Sequence, residues 1–415
     1  MASLLEPLRH PAFARFFAGQ AVSQLGDYVF FVTLPWQVLV LGQSAAVLGG
    51  VVAAYFVAQL ALLLLGGVIV DRFSRRRLVV LSDVLQGILV GLLAALAATG
   101  SLSVPALYVF GALFGGAQAF AMPALTAFLP EMVPKAELQA ANSLHQGTRT
   151  VMAILGPALG AVLIAAAGTA GAFAFDAATF AVSASLLATA RTATPAPKRE
   201  RRSPVADLKE GWRYVVAIPW LWITILAFAI VNAAEAGPRN VVLPAFVGVQ
   251  LGGGATAIGL MFSLQAVGTL LGFVLPSALP PIRDRGLVAY GMTALLGVTI
   301  LLLGFATALW QVLAIMFVHG FAVAVFSLMW ATSMMEYVDE DVRGRVFSLD
   351  EFGSFALLPG SLVASGVLAV SFGAPLVFLS GGLVVVACAA AGLIHRPART
   401  FRHVDVPRDR RREAK

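Results

Sequence analysis

The sequence predicts an all-α polytopic membrane protein, with twelve transmembrane helices in two pseudo-symmetric six-helix bundles. The first observation is its composition: hydrophobic residues make up 59% of the 415 positions and charged residues only 12%. Soluble globular proteins average about half apolar and a quarter charged residues. The second observation is a series of long apolar runs, and the third is a similarity between the two halves of the chain.

Twelve apolar runs are separated by short polar linkers. A helix needs about 20 apolar residues to cross the hydrocarbon core of a bilayer, which predicts one crossing for each run. Because the linkers are short, we expect neighbouring helices to be antiparallel. The runs lie near 13–41, 45–70, 77–99, 104–128, 142–167, 171–190, 219–247, 254–279, 286–306, 309–336, 346–371 and 374–395.

The positions of Lys and Arg predict the orientation of these helices. Alternate linkers and the chain ends hold almost all of the Lys and Arg residues. Basic linkers stay on the cytoplasmic side of a membrane, so we expect cytoplasmic termini and a cytoplasmic central linker. The linkers with neither Lys nor Arg are 42–44, 100–103, 168–170, 248–253, 307–308 and 372–373.

A polar interval in the middle of the chain predicts the domain boundaries. The sequence RTATPAPKRERRSPVADLKEGW combines Pro, Ser and charged residues, which is typical of a flexible linker that leads into an amphipathic helix. We expect an N-terminal six-helix bundle at 1–190, a cytoplasmic linker at 191–218, a C-terminal bundle at 219–395 and a basic tail at 396–415.

The two halves carry related sequences at equivalent places. QLGDYVFFVTLP in the first helix resembles NAAEAGPRNVVLP in the seventh, which aligns Gln24 with Asn232 and Asp27 with Glu235. A duplicated six-helix unit is the plan of one large class of secondary transporters.

The sequence contains no motif typical of a nucleic-acid-binding protein or of an enzyme. The net charge of +7 is distributed over short clusters between apolar runs, so we expect no nucleic-acid partner. The sequence contains no GxSxG, HExxH or Walker A motif, and its single cysteine, Cys388, excludes an intrachain disulfide. We therefore expect no enzyme activity, no metal site and no cofactor.

The loop after the second helix carries the most specific motif. GxxxDRxSRRR at 67–77 resembles the GxxxDRxGRRR signature of the major facilitator superfamily, with Ser74 in place of the second Gly. The resemblance extends over the whole chain, through the twelve spans, the central linker and the position of this loop.

This resemblance implies a conformational latch. It places Asp71 at the N-terminus of the eleventh helix, where unpaired amides favour an anion, and pairs Arg75 with an acid at the end of the fourth helix, here Glu131. Such contacts hold only while the cytoplasmic side is closed. The simpler alternative is that the arginines fix topology and contact anionic headgroups. The latch residues are Gly67, Asp71, Arg72, Arg75 and Glu131.

The fifth helix carries a second motif of the same superfamily. Its sequence resembles the antiporter signature G-x8-GP-x2-GG, which implies an exporter and comprises Gly147, Gly156, Pro157 and Gly160. Gly allows close helix approach, and Pro removes a backbone donor. The alternative is that Gly and Pro are common in any membrane helix. Exporters of this superfamily often carry an arginine in the middle of the fourth helix. In this sequence the aligned place is near Gly111, and no arginine is found there.

Two acidic residues within the spans are proton-coupling candidates. Asp27 and Glu235 lie near the middle of the first and seventh helices, which in this superfamily line the central cavity from opposite halves. An ionisable group at this depth is costly unless it is paired or hydrated, and burial favours the neutral carboxyl form. We predict proton binding at both, with the proton gradient as energy source. For Glu235 the alternative is an internal ion pair with Arg239.

Polar and aromatic residues on neighbouring spans predict the type of substrate. An apolar pocket with few polar groups is typical of a site for a bulky amphipathic molecule. The cavity candidates are Gln24, Phe31, Gln118, Met122, Asn232, Arg239, Gln265, His319 and Trp330. Candidates for an inner gate are Arg149, Asp350 and Glu351, for which contact with lipid headgroups is the alternative.

The predicted function is proton-coupled antiport that exports drug-like or amphipathic molecules by alternating access. The segments LGD, AANSL, EGWRYV and RGRVFSL resemble the twelve-helix bacterial group that includes macrolide, tetracycline and siderophore exporters. A lysophospholipid or nutrient carrier of the same superfamily, or a non-transporting membrane sensor, is the alternative. We expect a monomer in the cytoplasmic membrane of a bacterium, with a small-molecule substrate, protons and the lipid bilayer as its partners.

Overall fold

A computed structural model of the protein describes residues 4–70, 74–190, 204–277, 282 and 284–401. At 64–70, 204–208, 277, 340 and 341 it describes the backbone alone. These described residues form helices joined by short turns, with no strand among them. The all-α class predicted from the sequence is confirmed for this part of the chain.

Ten segments of the described chain are long and apolar enough to cross a membrane. They are Ala45–Leu63, Arg75–Ala98, Val104–Glu131, Lys135–Thr189, Pro219–Gln250, Gly254–Pro276, Arg285–Leu303, Leu309–Tyr337, Val342–Phe372 and Ala374–Ile394. The first long helix, Pro11–Val40, is not among them. Its apolar sequence is interrupted by polar residues, including Gln24 and Asp27, which need a polar or hydrated environment at membrane depth.

The chain divides into two compact units. Unit 1 comprises Met1–Lys198 and Pro244–Ala266. Within it, α1 packs along α5, α3 packs against α4 and α5, and α2 packs against α4. The helices of Met1–Lys198 are α1 (Pro11–Val40), α2 (Ala45–Val70), α3 (Arg75–Ala98), α4 (Val104–Phe128) and α5 (Leu138–Thr189).

Helix α5 is divided at Gly168. A straight α-helix of its 52 residues extends about 78 Å, more than twice the hydrocarbon thickness of about 30 Å. Gly168 has φ 67° and ψ −178°, a conformation that L side chains rarely adopt. The backbone therefore leaves the helical conformation at the place where the sequence predicts the linker 168–170.

Glycines of the antiporter motif form the contact between α5 and α1. A Cβ atom at Gly156 would overlap the Tyr28 side chain, and one at Gly160 would lie 3.1 Å from the Val29 carbonyl oxygen. These two glycines therefore allow the close helix approach that the motif predicts. Gly147, in contrast, has no neighbour within 4 Å of such an atom.

Unit 2 comprises Arg199–Leu243 and Val267–Lys415. In this unit α9 packs against α10 and α13, while α7 packs against α11, α12 and α13. Its helices are α6 (Pro204–Ala217), α7 (Pro219–Gly237), the C-terminal part of α8 (Gly254–Ser277), α9 (Arg285–Leu303), α10 (Leu309–Tyr337), α11 (Glu340–Phe355), α12 (Leu358–Phe372), α13 (Ala374–Ile394) and α14 (Arg396–Thr400).

The end of α7 widens into a π-helix. Pro238 follows α7 directly and has no N–H group, so it cannot continue the regular hydrogen-bond pattern. The π-helical turn Pro238–Val242 begins at this proline and contains Arg239. Single π turns inside longer helices are frequent at functional sites.

The apolar run 346–371 forms two helices, and not the single helix predicted. Helix α11 ends at Phe355 and α12 begins at Leu358, with Pro359 in its first turn. Proline has no donor for the carbonyl oxygen of Phe355, four residues earlier, and its ring is disfavoured in a helix interior. The same proline is well accommodated in the first turn of a helix, because an N–H group there has no carbonyl acceptor within the helix.

The α1–α5 contact predicts different stability effects for two glycines of one helix. We expect Gly156→Val to destabilise the protein by about 1–3 kcal/mol, because the added atoms overlap α1. The matched variant Gly147→Val makes the same change where the space is open. Thermal unfolding of the purified protein in lipid nanodiscs measures both. Equal losses in the two variants would contradict the assignment of this contact.

Candidate functional site

Unit 1 contains a cavity of about 590 Å³. Side chains from α1 to α5 form its wall, and the polar residues Gln24 and Asp27 that interrupt α1 line it. The polar lining residues include Gln20, Ser23, Gln24, Asp27, Asp83, Gln86, Gln118, Asn142, His145 and Arg149. The aromatic ones include Phe16, Phe30, Phe31, Tyr55, Phe110, Phe114 and Phe180.

Asp27 is an exposed carboxyl group in the wall of this cavity. The preceding residue, Gly26, is buried against α5. A Cβ atom at Gly26 would overlap the side chains of Asp176 and Thr179, so only glycine leaves room for them. This packing fixes the face of α1 that contacts the second half of α5. The next residue, Asp27, therefore points away from that contact and into the cavity.

The electrostatic surroundings of Asp27 contain charges of both signs. Asp83 and Asp176 lie within electrostatic range of its carboxyl group, and so does the guanidinium group of Arg149. Arg149 is itself exposed in the same cavity. The site therefore places two further carboxyl groups and one guanidinium group around Asp27.

Asp83 and Asp176 are polar residues of this site that the sequence prediction did not include. Asp83 is 5% exposed and accepts a hydrogen bond of 2.6 Å from the Ser183 hydroxyl. Asp176 is fully buried and accepts one of 3.3 Å from Thr179. The available signal was an acidic residue in an apolar run, which is a functional candidate by default at membrane depth.

The cavity candidates of the first half lie together in this wall. Gln118 accepts a hydrogen bond of 3.2 Å from the Gln86 amide, which joins α3 and α4. Phe31 and Met122 are 41% and 42% exposed, although both are large apolar side chains. Gln24 lines the same wall. Together they provide an apolar surface with amide groups next to Asp27.

Close packing of α2 and α4 explains the absence of an arginine in α4. A Cβ atom at Gly111 would lie 2.7 Å from the Val51 carbonyl oxygen. Real Cβ atoms do not approach backbone oxygens so closely, so Gly111 has no room for any side chain. In this chain, Arg149 of α5 is a cation that lines the cavity instead.

In unit 2, Glu235 lies in a buried polar cluster. It is 7% exposed and forms an ion pair with Arg239, one turn further along the chain. Its Oε1 atom is also 3.1 Å from Nε2 of His319, which is fully buried. The ion pair is the alternative that the sequence left open for Glu235, while the proton-coupling role stays a prediction.

The other candidates of unit 2 form separate hydrogen bonds. The Asn232 amide donates to the Ser354 carbonyl oxygen at 3.0 Å, and the Trp330 indole donates to Asp350 at 2.8 Å. Glu351 is exposed on α11. Gln265, which belongs to unit 1, is half-buried on α8. The roles predicted for these residues in the cavity and the inner gate stay predictions.

Part of the predicted latch is visible in unit 1. Arg75 Nη1 lies 2.6 Å from Glu131 Oε1 and donates to the Ala127 carbonyl oxygen at 3.2 Å. Both side chains of the ion pair are mostly buried. Asp71 and Arg72 lie outside the described residues, and Gly67 belongs to the part of α2 with the backbone alone. The Arg75–Glu131 pair forms as predicted, and its role as a latch stays a prediction.

A polytopic helical chain with ionisable side chains around an internal cavity has the construction of a membrane transporter. The model of the Major Facilitator Superfamily matches residues 16–357, and the chain belongs to this family. Its family, its apolar helices and its similarity to bacterial enterobactin exporters identify a multi-pass protein of the bacterial inner membrane.

Similar proteins are exporters by name. The enterobactin exporter EntS of Shigella boydii serotype 4 (strain Sb227) is 27% identical over 344 residues, covering 82% of this chain and 81% of its own. The enterobactin exporter EntS of Salmonella typhimurium (strain LT2) is 26% identical over 341 residues, with the same coverage.

Solved structures share the fold. The nucleoside transporter NupG superposes with a TM-score of 0.73 at 14% identity and covers 92% of this chain and 98% of its own. A bacterial homologue of the iron transporter ferroportin, in its inward-facing state, gives 0.69 at 18% identity with the same coverage. At these identities the likeness shows the fold alone.

The Arg75–Glu131 pair predicts a charge-swap rescue. We expect Glu131→Arg to reduce protein yield and transport, because it leaves Arg75 next to a like charge in a half-buried site. Adding Arg75→Glu restores the pair, with a coupling energy of about 0.5–3 kcal/mol in a double-mutant cycle of thermal stability. The control Arg77→Glu, at an exposed position of the same helix, should give no rescue of Glu131→Arg. Additive effects of the first two substitutions would contradict the pairing.

Proposed function

We propose that this protein exports a siderophore or a similar amphipathic small molecule across the bacterial inner membrane by proton antiport. Two independent findings support the proposal: the similarity to enterobactin exporters over 82% of the chain, and the cavity of unit 1. The single observation that carries the coupling part is the exposed Asp27 carboxyl group in the wall of that cavity.

The proposal includes twelve membrane crossings with both termini in the cytoplasm. Counting α1 as a crossing and dividing Lys135–Thr189 at Gly168 extends the ten candidate segments to twelve. An even number of crossings leaves both termini on one side, and the Lys and Arg distribution favours the cytoplasmic side. One chain suffices for the site, because residues of a single unit form the cavity.

Competition at Asp27 supplies the antiport coupling in this proposal. When ionised, Asp27 accepts hydrogen bonds from hydroxyl or amino groups of the cargo, with Arg149 as the nearby cation. A proton that binds to Asp27 removes this charge and weakens the cargo contact. Cargo and proton then bind in alternation, and a proton that enters from the outside resets the carrier after the cargo leaves.

The composition of the wall favours a cargo with aromatic character and several donors. Phe30, Phe110 and Phe114 form a cluster of rings with centroids 5.2–5.7 Å apart. Phe31 in the same wall is 41% exposed and offers apolar surface to an aromatic group. The carboxyl groups and amide oxygens nearby accept hydrogen bonds. A volume of about 590 Å³ is in the range of about 300–1,000 Å³ that is usual for small-molecule sites.

If Asp27 couples transport to protons, the near-isosteric variant Asp27→Asn should lose proton-driven transport. We expect Asp27→Asn to reduce proton-driven enterobactin uptake into everted vesicles at least about tenfold, since an amide cannot bind and release the proton. The uptake should be measured with and without an uncoupler, at matched protein levels. Asp27→Glu keeps the ionisable group and should retain part of the activity.

A matched control separates this effect from a general loss of negative charge. Asp339→Asn removes a carboxyl group at the exposed start of α11, outside the cavity of unit 1, and should leave uptake unchanged. Uptake by Asp27→Asn that still responds fully to the uncoupler would remove Asp27 from the coupling mechanism.

The direction and class of cargo predict a phenotype in whole cells. In bacteria that make enterobactin but lack their own exporter, expression of this chain should raise the enterobactin secreted into iron-poor medium. The measurement is its concentration in the medium and in the cells. Unchanged secretion, together with accumulation of a lysophospholipid or nutrient inside the cells, would favour the carrier alternative and reject export.

A further inference from the structure

One side of the first part of α5 presents polar side chains to the cavity of unit 1. Four residues at the spacing i, i+3, i+4 and i+7 share this side of the helix. They are Asn142, His145, Gln146 and Arg149, and all of them line the cavity. The Asn142 amide donates to the Leu138 carbonyl oxygen of its own helix at 3.0 Å. The other three side chains each carry at least one N–H group that can donate to a molecule in the cavity.

Arg149 is a cation well inside a membrane span. It lies about three helical turns, or roughly 16 Å, from Leu138, where α5 begins, and it is exposed in the cavity. In the part of the chain that the structure describes, Arg149 forms no hydrogen bond and no ion pair, whereas Arg239 is paired with Glu235. A guanidinium group at this depth is tolerated when water or an anion solvates it.

The carboxyl groups of the cavity wall leave Arg149 accessible to a ligand. Asp83 is 5% exposed and accepts a hydrogen bond of 2.6 Å from the Ser183 hydroxyl, so its carboxyl group is bonded elsewhere. Asp27 lies within electrostatic range of Arg149, but among the described residues the two side chains form no ion pair. A molecule in the cavity therefore meets a separate acceptor on α1 and a separate cation on α5.

We propose that Arg149 binds an acidic group of the cargo, a carboxylate or an ionised phenol, and so selects anionic aromatic molecules. The inference rests on the proposed function and names the class of substrate for the same cavity. A guanidinium group is planar and presents parallel N–H groups that match the two oxygen atoms of a carboxylate, or adjacent oxygens on an aromatic ring. Arg149 is thus a residue that determines specificity.

The rest of the wall is complementary to the remainder of such a molecule. Phe31 and Met122 are 41% and 42% exposed and offer apolar surface to an aromatic ring. The Asp27 carboxylate accepts a hydrogen bond from a neutral hydroxyl or amino group. The complementary cargo therefore combines an acidic group, an aromatic body and a neutral hydrogen-bond donor.

Other roles of Arg149 predict no preference for acidic molecules. As an inner-gate residue it would pair with a carboxylate of the chain itself. As a counter-ion of Asp27 it would neutralise that carboxylate and leave no net attraction for an anion. A measurement of ligand charge preference separates these roles from the proposed one.

Fluorine NMR titrations with matched pairs of small probes test the inference. The first pair is 5-fluorosalicylate, which carries a carboxylate at neutral pH, and 5-fluorosalicylamide, which has the same ring and hydroxyl group without that charge. The second pair is 2-fluoro-4-nitrophenol, ionised at slightly alkaline pH, and its methyl ether. Each probe is titrated into the full-length protein in nanodiscs of phosphatidylcholine, which has no net charge, and binding to empty nanodiscs is subtracted.

We expect the wild-type protein to bind the anionic member of a pair at least about tenfold more tightly than the neutral member. The reason is that hydrogen bonds between ionised groups are stronger than those between neutral groups. Arg149→Gln should abolish this preference and keep the binding of the neutral probe, which shows that the cavity is still folded. Arg149→Lys keeps the charge without the planar pair of donors and should retain part of the preference.

Matched variants elsewhere control for a general effect of charge. Arg77→Gln removes the same charge at an exposed position of α3, outside the cavity, and should keep the wild-type preference. Asp27→Asn should keep it as well, because the acidic group of the probe binds to Arg149 and not to Asp27.

The inference would be overturned by equal binding of the anionic and neutral members of both pairs to the wild-type protein. A preference that survives in Arg149→Gln would overturn it too. Because the titrations need neither a proton gradient nor transport, a protein that shows the preference but does not raise enterobactin secretion rejects the proposed function alone. Export of enterobactin without the preference rejects the inference alone.

Discussion

The cost of placing a charge in hydrocarbon is the constraint on which the described site depends. At membrane depth a carboxylate is tolerated when it is hydrogen-bonded, paired with a cation or exposed to water in a cavity. Each case occurs in this chain. Ser183 donates to Asp83, Arg239 pairs with Glu235, and Asp27 opens onto the cavity of unit 1. The polar interior is therefore organised by these partners, and the rest of each span is free to be apolar.

The two acidic residues at aligned positions of the sequence repeat lie in different environments. Asp27 and Glu235 occupy aligned positions, yet Asp27 is exposed in a cavity and Glu235 is 7% exposed in an ion pair. Positions at which the two aligned segments differ account for this contrast. Gly26 turns Asp27 away from α5, while the π-helical turn after Pro238 places Arg239 next to Glu235. An aligned position in a repeat thus does not determine the environment of the side chain.

The sequence predicted those features that depend on local composition or on a family motif. The length of the apolar runs predicted the helices, and the motifs predicted a close helix approach at the glycines of α5 and the Arg75–Glu131 pair. The partner of α5 in that approach, α1, was not predicted. The sequence did not predict the proximity of Asp83 and Asp176 to Asp27, or the contact of His319 with Thr299. These depend on which faces of distant helices meet. Pro359 was a local signal for the break between α11 and α12, but it lay inside an apolar run.

The central claim is that cargo and a proton compete for the Asp27 carboxyl group. It is tested most directly by the protons released when enterobactin binds to the purified protein, measured by calorimetry in buffers of different ionisation enthalpy. We predict proton release near neutral pH for the wild-type protein, and both weaker cargo binding and markedly less proton release per bound cargo for Asp27→Asn. Equal proton release by the two proteins would contradict the account.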